Sequence, residues 1–450
     1  MKKILAVMLA LVMVASMAAC SSGEGAAEAK PVEPQEWILG SEPVTITFWN
    51  CASDKDAELM EKYVTKFNET NEYQITVNSI FQGQYSDATT AMKAIISAEN
   101  YDQLPDVMQL DATGKVAYYN SGKAFTADDA AIAYGIDTTP YVEGALGNWQ
   151  FAGKQLGMPF ATSTTITYYN MDLLKAAGWD RVPDTFADVI QLAADMKAAG
   201  LEAIAYQDIP NTPSLANWLG QMGSYVVNNS NGADDTATEL DCIENGALAV
   251  FLTEWKKMYD EGGLVNAGSS RDAFVAGNVA IMTNSSSNIN KNLTMINGAF
   301  EMGVGPFLRV NEEASYGATV SGSCLVMFDS GEELRKQAST VFVQYLAGAE
   351  VQADYAANTG YIPGNKEAME SDAYQALLAE QPLYGVGFEQ LSKTPAFMRS
   401  VTVGPSVDFY YGIMEGSSAM LSDGLTVEET VENMQNTLQG LLDEYIANNS

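Results

Sequence analysis

Histidine is absent from all 450 residues, and that absence removes much of the chemistry a chain of this size could perform. There is no Ser-His-Asp or Cys-His pair to activate a nucleophile, no imidazole to carry a proton near neutral pH, and no His to ligate a metal. Four cysteines are present. Cys51, Cys242 and Cys324 are spaced too widely for a zinc pattern, and their odd number leaves at least one free or paired between chains; buried thiols are expected. The 57 Asp and Glu residues keep paired-carboxylate chemistry open. Asp111 is the one of interest, because it lies just past the short apolar run Asp106–Leu110. There a carboxylate either accepts two hydroxyl hydrogen bonds, as a sugar or polyol offers, or caps a helix at Ala112. With only 23 Lys and Arg the net charge is −34, which repels phosphate backbones and argues against nucleic acid. No metal and no cofactor are expected.

The elements that must position such residues begin with an address. Lys2 and Lys3 precede an apolar run from Ile4 to Ala19, too short to span a membrane and shaped as a secretory signal. Met17-Ala18-Ala19-Cys20 resembles a lipobox, with Met17 where Leu is usual, so residues 1–19 read as a lipoprotein signal peptide and Cys20 as the lipidated residue. Residues 20–42 read as the lipidated Cys and a small, acidic, Pro-containing tether. These features predict a protein anchored at the outer face of the bacterial cytoplasmic membrane, on the periplasmic side if the source has two membranes.

The body alternates strand and helix. Val44–Asn50 and 73–80 predict strands, 54–68 and 85–98 helices, Asp106–Leu110 a buried strand, with another helix from Ala112. This order predicts an α/β lobe with a largely parallel sheet, whose strand ends form the binding edge. Residues 153–170 read as two strands joined at Met158-Pro159-Phe160, and 316–328 as a hairpin around Ser321-Gly322. Helical spacing covers 170–178, 185–199, 213–223 and 244–261. Short strands fall at 280–283 and 301–305, and a mostly helical tail is broken at 359–365 and 402–405.

Several phrases in this order resemble the extracellular solute-binding proteins (family 1) of ABC importers, the class of the maltose-, oligosaccharide- and glycerol-3-phosphate-binding proteins. They are ITFWN, FQGQYSDATTAMKAIISAENYDQLPDVMQL, GMPFATSTTITYYNMDLLKAAGW, RDAFVAGNVAIMTNSSSN, GVGPF and NTGYIPGNKEAM, and they spread over residues 43–445. The resemblance implies a two-lobed periplasmic-binding-protein fold (type II), α/β, with three inter-lobe crossings and a ligand cleft between the lobes. The crossings fall near Pro159–Thr162, Ala314–Ala318 and Gly360–Gly364. Lobe one comprises 43–159 plus 318–361, and lobe two 162–314 plus 365–450.

A cleft for sugars needs aromatic faces and short polar groups. Trp49 and Asn50 end the first strand, and Trp218 in LANWLGQMG supplies a platform on lobe two. Ser163 lines the first crossing, and Asn284, Ser285 and Ser286 follow a strand and open a helix. The resemblance adds Tyr85, Asp111, Gly322 and Tyr361 as positions matching family ligand contacts. It also shows departures. The glycerol-3-phosphate branch has a Trp pair where this chain reads AYQDIPNTP, a serine where it has Leu146, and an arginine at Val401. The nearest arginine is Arg399. A neutral carbohydrate, mono- or oligosaccharide, is therefore expected ahead of glycerol-3-phosphate or a glycerophosphodiester. The expected partners are ABC permease subunits, the protein is expected to be monomeric, and catalysis is not expected. The alternative class is a secreted glycosidase using a carboxylate pair.

Overall fold

The computed structural model describes residues 32–52, 54–395 and 397–449. The signal peptide, Cys20 and the tether as far as residue 31 lie outside the described residues. In chain order the strands are β1 Val44–Asn50, β2 Ile75–Phe81, β3 Val107–Leu110, β4 Ala124–Phe125, β5 Gln150–Phe151, β6 Lys154–Gln155, β7 Met158–Asn170, β8 Ile204–Gln207, β9 Leu264–Val265, β10 Val279–Ser285, β11 Met302–Gly305 and β12 Val320–Phe328. β1 pairs in parallel with β2 and β3, and β8 pairs in parallel with β9 and β10. The helices between them make the crossovers that parallel pairing needs.

The sheet is mixed, not largely parallel, because β7 and β12 run antiparallel to their neighbours. β7 is a single strand of 13 residues, not two joined at Met158-Pro159-Phe160. Pro159 sits near its start, where a missing N–H costs little, and the β-branched and aromatic run beyond it is almost wholly buried. Its first half pairs with β12 and its second half with β10 and β11. The expected hairpin at Ser321-Gly322 is likewise one strand. Gly322 adopts φ 99° and the register slips between Gly322 and Ser323, so the glycine makes a bulge and not a turn.

The fold has two lobes with separate cores. In the first, Trp49, Ala88, Met92, Met108, Leu110, Tyr118, Trp149, Phe151 and Cys324 pack together. In the second, Phe186, Trp218, Phe251, Trp255, Phe307 and Phe409 do so. The segments expected as the first and third crossings lie side by side, as Ile362 N–H donates to Thr162 O at 2.7 Å, and Thr162 also pairs with Gly322 of β12. Gln352 fastens them, donating to Pro159 O (2.8 Å) and accepting from Gly364 N–H (2.7 Å).

The tether ends earlier than residue 42. Gln337 Oε1 accepts from Ile38 N–H (2.9 Å) and Leu39 N–H (3.2 Å), and its Nε2 donates to Glu36 O at 2.7 Å. Trp37 meets Tyr73 and Tyr134 edge-on, at 5.9 and 6.0 Å. One buried amide and one indole dock this segment on the body.

Candidate functional site

Tyr85 opens the helix Tyr85–Ser97, where the Asp87 carboxylate accepts from Gln84 N–H at 2.8 Å and sets the first turn. That places the phenol over the crossing strand. Its hydroxyl donates to Ser323 Oγ at 3.3 Å, with the Tyr361 phenol near it. Tyr361 stacks on Tyr355 with ring centroids 5.6 Å apart and 18° between planes, near Ser287. Burial raises both phenols above their ordinary pKa, so they stay neutral and can both donate and accept. The Tyr85, Tyr361 and Ser287 side chains thus gather from three separate segments of the chain.

Asp111 follows β3. It occupies an N-cap position but makes no side-chain cap bond, so the capping role is not the one it plays. Its carboxylate accepts from Thr89 Oγ1 at 3.2 Å and Thr113 Oγ1 at 2.8 Å. Four residues on, Lys115 is 1% exposed and donates to Asn148 O at 2.9 Å. Burial pushes this amine down to about 8; the nearby Arg399 guanidinium adds to the depression, and Cys324 and Asp111 oppose it. Arg399 arrives from the far end of the chain and pairs with Asp234 at 3.5 Å. Burial pushes the Cys51 thiol up to about 12, helped by Asp111 and Asp87, so it is a neutral thiol at this edge and no nucleophile.

The structure places Tyr85 near Tyr361, and Asp111 and Arg399 both near Lys115. Other expected contacts lie elsewhere. Trp218 is fully buried, stacked on Phe251 at 5.2 Å, with Nε1 donating to Leu308 O at 3.1 Å. Its faces are covered by Phe186, Trp255 and Phe307, so it is core of lobe two and not a platform. Trp49 is core of lobe one. Asn50 spends its amide locally, on Ser79 Oγ (2.9 Å) and Ala52 N–H (3.2 Å). Ser163 is buried in β7 opposite Ser321.

Gly322 does serve a close approach, but to protein: a Cβ there would lie 1.9 Å from Ala161 O. Asn284 Oδ1 accepts from Ser285 N–H (2.7 Å) and Asn288 Nδ2 (3.0 Å). Ser286 Oγ accepts from Thr164 N–H at 3.3 Å, so it pins the start of its helix to β7. Ser285 Oγ bonds Ser287 Oγ at 2.9 Å.

Sequence reasoning missed Ser287, Ser323, Tyr355 and Lys115. Lys115 left one trace, its spacing of four from Asp111; the serines and Tyr355 left none. Among the described residues, no group of three or more His, Cys, Asp or Glu is placed to hold a metal. The arrangement offers phenols, aliphatic hydroxyls and one carboxylate between two lobes, a set that recognises hydroxyl-bearing solutes.

Residues 62–380 match the family described as bacterial extracellular solute-binding protein, and the chain belongs to that family, the solute-binding proteins of ABC importers. It is 24% identical over 360 residues to the sn-glycerol-3-phosphate-binding periplasmic protein UgpB of Escherichia coli strain K12, covering 78% of this chain and 81% of that one. UgpB from Mycobacterium tuberculosis in complex with glycerophosphocholine shares the fold, with a TM-score of 0.73 at 22% identity over 90% of this chain and 100% of that one. So does the cyclic alpha-maltosyl-1,6-maltose binding protein of Arthrobacter globiformis, with a TM-score of 0.75 at 15% identity over 90% and 100%.

Proposed function

We propose that this protein captures a carbohydrate, mono- or oligosaccharide, between its lobes and delivers it to an ABC permease. The observation that carries this reading is the cluster of the Tyr85, Tyr361 and Ser287 phenol and hydroxyl groups, with Cys51 near both Tyr85 and the Asp111 carboxylate. Each of these hydroxyls can bond a ligand hydroxyl, and the cluster draws on segments assigned to both lobes, so the ligand's bonds favour closure. Binding that favours the closed state shifts the population, and the permease reads that difference. Lobe one is taken as 43–159 with 318–361, and lobe two as 162–314 with 365–450. The protein acts as a monomer, without catalysis, and Cys20 anchors it by lipid at the outer face of the cytoplasmic membrane.

A second reading is glycerol-3-phosphate or a glycerophosphodiester. Arg399 and Lys115 stand within electrostatic reach of each other, and the relative from strain K12 is named for sn-glycerol-3-phosphate. The carbohydrate stands first because Arg399 already pairs with Asp234 and the buried Lys115 amine is held by Asn148 O. A phosphate there would have to displace those partners.

A thermal-shift screen over mono- and oligosaccharides, polyols, glycerol-3-phosphate and glycerophosphodiesters tests both. Ligand at about 100 times its Kd adds about 2.7 kcal/mol, a readable shift. A sugar hit without a phosphate hit supports the first reading and a phosphate hit alone the second. No hit with folded protein rejects both. Hydrolysis of a bound oligosaccharide, abolished by Asp111→Asn, would replace transport by catalysis.

A further inference from the structure

Asn229, Ser230 and Asn231 adopt φ 53°, 57° and 60° with ψ 44°, 52° and 35°, and Gly232 follows at φ 73°. Three consecutive non-glycine residues in left-handed backbone are unusual, because each Cβ crowds the following carbonyl. Such a turn persists only where its surroundings over-determine it, and strain of this kind gathers at functional segments. Here the surroundings are explicit. Asn231 is 2% exposed; its Oδ1 accepts from Val226 N–H (2.7 Å) and Val227 N–H (3.3 Å). Its Nδ2 donates to Arg399 O at 2.8 Å, and its own carbonyl accepts from Thr402 N–H at 2.8 Å. Gly232 lets Thr402 close in, since a Cβ would meet Thr402 O at 2.0 Å.

The turn therefore grips the strap Arg399–Thr402 at both ends. On its other side the strap meets lobe one, where Ser400 N–H donates to Asn148 Oδ1 at 3.3 Å. Beside it, the hairpin of β5 and β6 reaches across: Ala152 N–H donates to Ala233 O at 2.8 Å. Asn148 also offers the carbonyl that holds Lys115. Val226 and Val227 belong to the core of lobe two, while Trp149, Phe151 and Ala152 belong to that of lobe one. The turn is thus rooted in one lobe and clasped by the other.

We propose that Asn231 and Gly232 are positioning residues for ligand capture: the left-handed turn holds the strap that carries Arg399 against lobe one, and the clasp at Asn148 and Ala152 completes lobe closure. The inference rests on the cleft assigned above.

Asn231→Asp isolates the step. The carboxylate keeps both acceptor bonds from Val226 and Val227 but replaces the donor to Arg399 O by a repelling oxygen. Amide hydrogen exchange on the full-length protein reads the result without any ligand. The expected outcome is faster exchange at Ala152, Ser400 and Thr402 with Val226 and Val227 still protected, and roughly tenfold weaker binding of the probes maltotriose or sn-glycerol-3-phosphate. Asn229→Gly, which suits the left-handed backbone and gives up only a bond to Thr236 O, is expected to keep the affinity. Unchanged exchange at the three amides, or altered exchange with unchanged affinity, overturns the proposal. If the variant does not fold, exchange in the unmodified protein decides, because unprotected Ala152 and Ser400 amides would mean that no clasp forms. If neither probe binds the unmodified protein, the ligand assignment fails while the exchange results still judge the turn.

Discussion

Asp111 and Lys115 show how much one side chain's setting decides. Asp111→Asn keeps the shape but loses a charged acceptor, and hydrogen bonds to charged groups contribute about 1.5–3 kcal/mol. Calorimetric titration with the ligand found by the thermal screen should show affinity reduced by about ten- to a hundredfold. Lys115 titrates differently. Its folded-state pKa lies near 8, below the ordinary lysine value of 10.5, so the unfolded chain binds the proton more readily between those values. Stability should therefore rise as pH goes from 8 to 10.5, and the protein carries the full penalty below 8. Lys115→Met, which leaves Asn148 O without this donor but removes a buried charge, should flatten that rise. It should also stabilise the protein at pH 7, by up to roughly 3 kcal/mol. Denaturant melts across the pH range check the sign.

At the scale of elements, the crossings are the working parts. β7 and β12 meet where Ala161 has φ 52° and Gly322 φ 99°, two left-handed residues facing each other at the slip in register. Gly322→Ala would force a Cβ to 1.9 Å from a carbonyl oxygen that belongs to backbone and cannot swing aside. The expected cost is about 3 kcal/mol or more, seen as a lower Tm and as changed binding, because the same contact sits at the crossing. Trp218→Ala makes the contrasting case. It should cost about 3–5 kcal/mol through the cavity it leaves in lobe two, with the affinity of the folded fraction little changed. A matched pair of thermal melts and titrations separates the two.

At the scale of the molecule, a charge of −34 gives a surface that repels its own kind and keeps the chain dispersed. Anchoring would then set how far the binding body reaches from the membrane. Gln337 and Trp37 dock residues 36–39 on the body, so the segment expected as tether is held by the body from residue 36 onward. Cys20→Ser should release the protein into the medium or periplasm, and labelling with a fatty-acid analogue should be lost with it. Retention on the membrane after that change would reject the anchor.

The strand–helix alternation, the helical spacing over 185–199 and 213–223, the breaks at 359–365 and 402–405 and the absence of imidazole chemistry could all be read from the chain. They are properties of neighbouring residues: spacing and backbone freedom act within a few positions. The ordered family phrases carried the two-lobed fold and pointed to Tyr85, Asp111 and Tyr361. Only the tertiary structure decided which aromatics are covered, because an indole such as Trp218 has the same local spacing whether its faces meet Phe251 or open water. It likewise decided that β7 is one strand, that Tyr361 lies near both Tyr85 and Ser287, and that Arg399 lies near Lys115. Burial, charge coupling and strand register are set by residues far away in the chain, and local sequence has no access to them until it folds.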